Sequence, residues 1–179
     1  GSGLMSYHRE FALDGEMMDE QLSYAAALGL IVVFDIGRHG GCCWQAKQLA
    51  AAAGRYPGLQ FVVCHLLAPQ GRSYENDWRE AMKALNLENV VFDLASLSSN
   101  QRPEPYPYPT AVWFIKEAAG ILGADRMMWG SDLPSNLCQD TYRHLFDYIL
   151  DSPSFTESEK ESMLWKTADR IYFADSGLR

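Results

Sequence analysis

Five side chains able to do acid–base or metal chemistry stand at or just past the ends of apolar runs. Asp35 closes Leu30-Ile31-Val32-Val33-Phe34, and His65 closes the run from Leu59 to Cys64. Asp93 lies near the end of Asn89 to Leu94, and His8 ends a short run over residues 3–8. Asp132 follows Met127-Met128-Trp129-Gly130-Ser131. If these runs are strands of one parallel sheet, all five residues meet at its carboxyl edge, where α/β proteins build their sites. Imidazole and carboxylate together suit zinc and manganese. A metal held there would lower the pKa of a bound water or polarise a carbonyl. An aspartate beside it would take the proton.

The five are not equal. Asp132 is the strongest, because Gly130 and Ser131 beside it allow a ligand close to the backbone. Asp35 reads equally well as a cap of the following turn. For Asp93, backbone bonding outranks catalysis. His65 has a competing reading as a satisfied core histidine, although a strand end favours function. His39 and His144 read as loop and helix-surface residues, and His8 is close to the start of the sequence.

The elements that must position these residues follow from hydrophobic periodicity. Glu16 to Leu28 has helical spacing of Met17, Met18, Leu22, Ala25 and Ala26, and Gly29 ends it. Helices are also expected over Trp44 to Arg55, Glu75 to Leu85, Thr110 to Leu122, Gln139 to Leu150 and Thr156 to Thr167. Thr110 is the expected N-cap of its helix. Thr156-Glu157-Ser158-Glu159 has the form of a capping box. The strands are unalternating and β-branched, as in sheets buried on both faces. Ser96 to Pro109 is the longest irregular stretch, with prolines at 103, 105, 107 and 109. Alternation of strand and helix predicts an α/β fold with a parallel sheet over residues 1–179, in a single domain.

Composition narrows the function. The chain has 179 residues, a net charge of −8 and scattered basic residues. That excludes a nucleic-acid surface, which needs clustered Lys and Arg. No apolar stretch approaches the ~20 residues of a membrane helix, and no basic region followed by an apolar one opens the sequence. Cys42, Cys43, Cys64 and Cys138 have no zinc-type spacing. The expectation is a cytoplasmic protein with reduced cysteines, a small-molecule substrate, and neither nucleic-acid nor membrane partners.

Arg126-Met127-Met128-Trp129-Gly130-Ser131-Asp132-Leu133-Pro134 resembles the last barrel strand of the amidohydrolase-related family of metal-dependent (β/α)8 TIM-barrel enzymes. A GSD-x-P ending is usual there. Trp165 to Tyr172 resembles the closing helix of that family, with Thr167 where asparagine is usual. Leu59 to His65 resembles the sixth strand, placing the metal-site histidine on His65. Asn89 to Ser96 resembles the seventh. Leu30 to Gly37 resembles the fifth, with Asp35 where the family has histidine. The resemblance covers residue 3 onward.

It implies hydrolysis of C–O or C–N bonds, or non-oxidative decarboxylation, of a small organic acid, lactone or amide. By this resemblance Asp132 is the general base, His65 a catalytic electrophile, and His65, Asp132 and Asp35 the metal-facing residues. The metal is a divalent cation, zinc before manganese. Two departures stand out: Asp35, and the lack of any H-x-H pair, which the family carries on its first strand. A full barrel takes about 250 residues, so the expectation is a partial barrel with strands four to eight, weakly active or inactive alone. The competing reading is a non-catalytic or partner-dependent truncated barrel, whose open sheet edges invite assembly, including a homo-oligomer. A flavodoxin-like binding module ranks below both, for want of a phosphate loop after the first strand.

Overall fold

The computed structural model of the protein describes residues 4–5 and 11–173; His8 lies outside them. Five strands form one sheet in the order β1-β2-β3-β4-β5, every neighbouring pair parallel. They are β1 (Leu4–Met5), β2 (Ile31–Asp35), β3 (Gln60–Val63), β4 (Val90–Asp93) and β5 (Met127–Met128). The helices are α1 (Glu16–Ala27), α2 (Ala46–Arg55), α3 (Glu75–Ala84), α4 (Leu97–Asn100), α5 (Pro109–Leu122), α6 (Tyr142–Leu150), α7 (Glu157–Glu161) and α8 (Thr167–Tyr172). Spatial order equal to sequence order, with helices between strands, is the arrangement of an α/β barrel segment.

The period-two alternation of each strand divides the sheet into two chemically different faces. Phe34, Phe61, Val63, Val90, Phe92 and Met127 point to the helical layer. There they join Leu49 and Ala52 of α2, Trp78 and Met82 of α3, and Phe114 and Ile115 of α5 in the main core. The other face carries Val62, Val91 and Met128, with Ile31 and Val33 beside them. In a closed barrel the face away from the helices is the interior. Here Ala168 and Ile171 of α8 pack against it.

The approach of α8 depends on a π-helical stretch, Ser162–Lys166, between α7 and α8. A π turn disturbs the usual ladder, and Met163 O accepts the N–H of Trp129 at 2.6 Å. That bond takes up a backbone donor of the β5 edge. Further down, Thr167 Oγ1 and Arg170 Nη2 donate to Asp125 O at 3.2 and 2.6 Å.

Several expected boundaries move, each for a visible reason. α5 starts at Pro109, and Tyr108 rather than Thr110 is its N-cap residue. Thr110 instead donates its N–H and Oγ1 to the Glu104 carboxylate at 3.0 and 2.7 Å, so an acid six residues upstream replaces the expected cap. The stretch from Ser96 contains α4, and the Tyr106 ring stacks on His144 with centroids 4.5 Å apart. The capping box at Thr156 and Glu159 forms as expected.

Candidate active site

β3 stops at Val63, two residues short of the expected His65, and the chain turns through Cys64–Leu67. His65, Leu66, Leu67 and Ala68 all have positive φ, at 58°, 51°, 65° and 46°. A left-handed run of non-glycine residues is strained, and tertiary bonds hold it. Trp78 Nε1 donates to Leu66 O at 2.9 Å, and Gln101 Nε2 to Pro69 O at 2.7 Å. The His65 N–H donates to Asp93 Oδ1 at 2.9 Å. Because glycine adopts this conformation without penalty, Ala68→Gly is expected to stabilise the protein by about 0.5 kcal/mol. The urea midpoint would measure it, and a lower midpoint would mean that the Ala68 methyl packing outweighs the strain.

The turn places the His65 ring among carboxylates. Nδ1 lies 3.1 Å from Ala95 O and 3.5 Å from Asp93 Oδ1, while Nε2 lies 3.7 Å from Asp35 Oδ2. The shorter contact orients Nδ1–H toward the carbonyl, with Asp93 near enough to act on the ring through both its bonding and its charge. Burial alone would lower the His65 pKa. The bonding and charge of Asp93, with Asp35 and Asp132 behind it, outweigh that and raise it to about 9. His65 is therefore an imidazolium at neutral pH. Burial pushes Asp93 upward, but His65 and the N–H groups of His65 and Ala95 overcome this and hold it below the usual carboxylate range. Burial, aided by Asp93, pushes the Cys64 thiol well up, so it is no nucleophile at neutral pH.

Asp93 thus does what its backbone-bonding reading expected, accepting from His65 N and Ala95 N at 2.9 Å each. It also carries His65. Asp35 serves partly as a turn cap, with Oδ1 accepting from Gly37 N at 2.9 Å. Its other oxygen faces His65.

Asp132 is exposed, with φ of 49°, and its Oδ2 accepts the Ser96 hydroxyl. Ser96 itself has φ of 59°. Asn136, 2% exposed, ties the arrangement together. It donates to Ser131 O at 3.0 Å and to Ser96 Oγ at 3.2 Å, and accepts from Ser99 Oγ at 2.7 Å. Ser96 and Asn136 are site residues that periodicity passes over; a polar residue three or four positions beyond each strand-end acid is the only signal they leave. Gly130 has its use inside the protein: a Cβ there would come within 3.2 Å of Ala95 Cβ.

His65, Asp93 and Asp132 line one cleft of about 400 Å³ with Cys64, Ala168 and Tyr172. Tyr172, from α8, therefore shares the cleft with the strand ends. As to a metal, His65 Nε2 and Asp35 Oδ2 converge as two donors, but the described residues hold no group of three His, Cys, Asp or Glu able to bind a metal ion. Protein metal centres of this donor type use three or four protein ligands, so the described donor set does not by itself fit one.

Known proteins agree with this architecture. The chain is 24% identical over 138 residues to an uncharacterised protein, y4mH, of Sinorhizobium fredii; the match covers 72% of this chain and 44% of that one. Among solved structures it resembles a zinc-bound amidohydrolase from Burkholderia multivorans, with a TM-score of 0.74 at 20% identity, covering 89% of this chain and 58% of that one. It also resembles the 5-carboxyvanillate decarboxylase LigW from Sphingomonas paucimobilis, with a TM-score of 0.64 at 15% identity, covering 96% and 58%. At these identities the likeness speaks for the fold: the chain is a partial (β/α)8 barrel, spanning a little over half of the solved relatives and less than half of the curated one. The amidohydrolase profile matches residues 3–174, and the chain belongs to the amidohydrolase family.

Proposed function

We propose that this chain carries the proton-transfer side of an amidohydrolase-type active site acting on a small organic acid, lactone or amide by hydrolysis or non-oxidative decarboxylation. The observation that carries the reading is the shared cleft of an exposed carboxylate, Asp132, and an imidazolium, His65. Asp132 takes or gives the proton at its free oxygen. The Ser96 hydroxyl fixes its other oxygen. His65, held charged by Asp93, places a positive charge where an oxyanion or substrate carboxylate would lie. The complete enzyme takes a divalent metal, zinc as in the Burkholderia multivorans relative or manganese; ligation through His65 and Asp35 would need further ligands and would displace the His65 proton, the metal then supplying the positive charge in its place. The test is turnover of a panel of lactones, amides and aromatic acids by the protein and by Asp132→Asn. Equal turnover by the two would overturn the reading.

A second reading, a partner-dependent or non-catalytic truncated barrel, is favoured by one observation: α8 packs on the face that is the interior of a closed barrel. Solution mass and turnover measured together separate the two readings, because a monomer with turnover removed by Asp132→Asn leaves no place for the second.

A further inference from the structure

A different pocket, of about 350 Å³, opens between the loop after β2 and the loop after β3. Its lining shares no residue with the His65–Asp132 cleft. Arg38 from the first loop and Gln70 from the second both line it and are bonded through Arg38 Nη1 and Gln70 Oε1. The walls are His39 and Tyr74, and Trp78 and Phe114 form the apolar floor.

Among the described residues Arg38 has no carboxylate partner, and unlike Arg102, Arg126 and Arg170 it has no backbone carbonyl in its place. Arg55, Arg72 and Arg79 each sit on a carboxylate. Arg38 makes no ion pair among the described residues, in a chain whose net charge is −8. Its side-chain partner among the described residues, Gln70, is neutral, which leaves the rest of the guanidinium fork for an anion. His39 adds a second signal. Its ring is held between Trp44 and Tyr74, with centroids 5.4 and 5.0 Å away. Its Nδ1 is buried without a hydrogen-bond partner among the described residues.

We propose that this pocket binds a small aromatic carboxylate, with the carboxylate on Arg38 and the ring against Tyr74, Trp78 and Phe114. One arginine matches one negative charge. Asp77, 3.9 Å from His39 Nε2, would oppose a dianion such as phosphate. The volume is within the usual range for small-ligand sites. The mixed lining, flat aromatic groups below and a planar cation at the rim, fits an aromatic acid better than an aliphatic one. Leu67, inside the left-handed turn that begins at His65, and Pro69, just past its end, also line the pocket. A ligand there would rest on the segment that positions His65. The site does not depend on the catalytic reading; a chain without turnover would still contain it.

The test is 19F NMR titration of the full chain with 4-fluorobenzoate and with its neutral isostere, 4-fluorobenzamide. Saturable binding of the acid is expected, with Kd on the order of 1 mM. The amide should bind at least roughly tenfold more weakly, and Arg38→Gln should weaken the acid by a similar factor. Tyr74→Ala should weaken it by a few fold, and Asp132→Asn should leave it unchanged. Arg38 and Tyr74 are both exposed, so neither change threatens folding. Absence of saturation, equal binding of acid and amide, or undiminished binding by Arg38→Gln would each overturn the proposal. Binding lost in Asp132→Asn would place the acid in the other cleft and overturn it too.

Discussion

Replacing Asp93 by alanine is expected to lower the free energy of unfolding by about 3–5 kcal/mol, a fall in Tm of roughly 10 °C for a chain of this size. The reason is the number of groups that depend on one carboxylate. Asp93 Oδ1 accepts from the N–H groups of His65 and Ala95, and lies 3.5 Å from the His65 ring. Alanine leaves two backbone donors unmet and a partly buried imidazolium without its nearest counter-charge. It also frees a strained left-handed turn. Thermal unfolding of Asp93→Ala and Asp93→Asn side by side separates the causes, since asparagine keeps an acceptor and removes the charge. A loss below about 1 kcal/mol for alanine would remove Asp93 from the centre of the site.

The same pair gives the stability a direction in pH. The folded pKa of His65, about 9, lies above its ordinary 6.5. Its contribution is therefore complete below pH 6.5 and is lost as pH rises through 9. The rise corresponds to about 3 kcal/mol at most. Asp93 runs the other way: held below its ordinary 3.8, it contributes above that value and loses its contribution as pH falls beneath it. Since the two describe one interaction, the energy counts once. Denaturant midpoints should be level between about pH 4 and 6.5 and fall toward pH 9. In Asp93→Ala most of the alkaline fall should disappear.

Asp132→Asn is expected to lower turnover by roughly 10²–10⁴-fold while changing stability by no more than about 0.5 kcal/mol. The fold tolerates the change for two local reasons. Residue 132 has φ of 49°, a conformation that asparagine accepts as readily as aspartate. An amide oxygen can also accept the Ser96 hydroxyl as the carboxylate does. What asparagine cannot do is hold a proton between steps. Initial rates at saturating substrate, with matched thermal unfolding, would show the split. Lost stability instead of lost rate would make Asp132 a structural residue.

The parts of the fold legible in the sequence are those set by local pattern. The apolar runs Leu30 to Asp35, Leu59 to His65 and Asn89 to Leu94 contain the strands Ile31–Asp35, Gln60–Val63 and Val90–Asp93. Gly29 and Gly123 end helices with positive φ, as their position suggested. The left-handed turn was not legible, because Cys64-His65-Leu66-Leu67-Ala68 contains no glycine or asparagine to announce it. Trp78 and Asp93, from other elements, hold it in place. For the same reason His65 looked like a strand end and is the first residue of a turn. The run from Arg126 to Ser131 shortens to two strand residues, with the N–H of Trp129 bonded to Met163 O. In the site, the acids and the imidazole were visible by type and place. The Ser96–Asn136 bracing was not, since it joins two loops forty residues apart.

The bond from Trp129 N to Met163 O also bears on how this half of a barrel could ever become a whole one. A strand arriving beside β5 would meet an N–H already engaged, and apolar residues arriving at Val62, Val91 and Met128 would meet Ala168 and Ile171 already seated. Closure is then a substitution of one neighbour for another. Strands paired there would gain only the difference between their own contacts and those that α8 gives up.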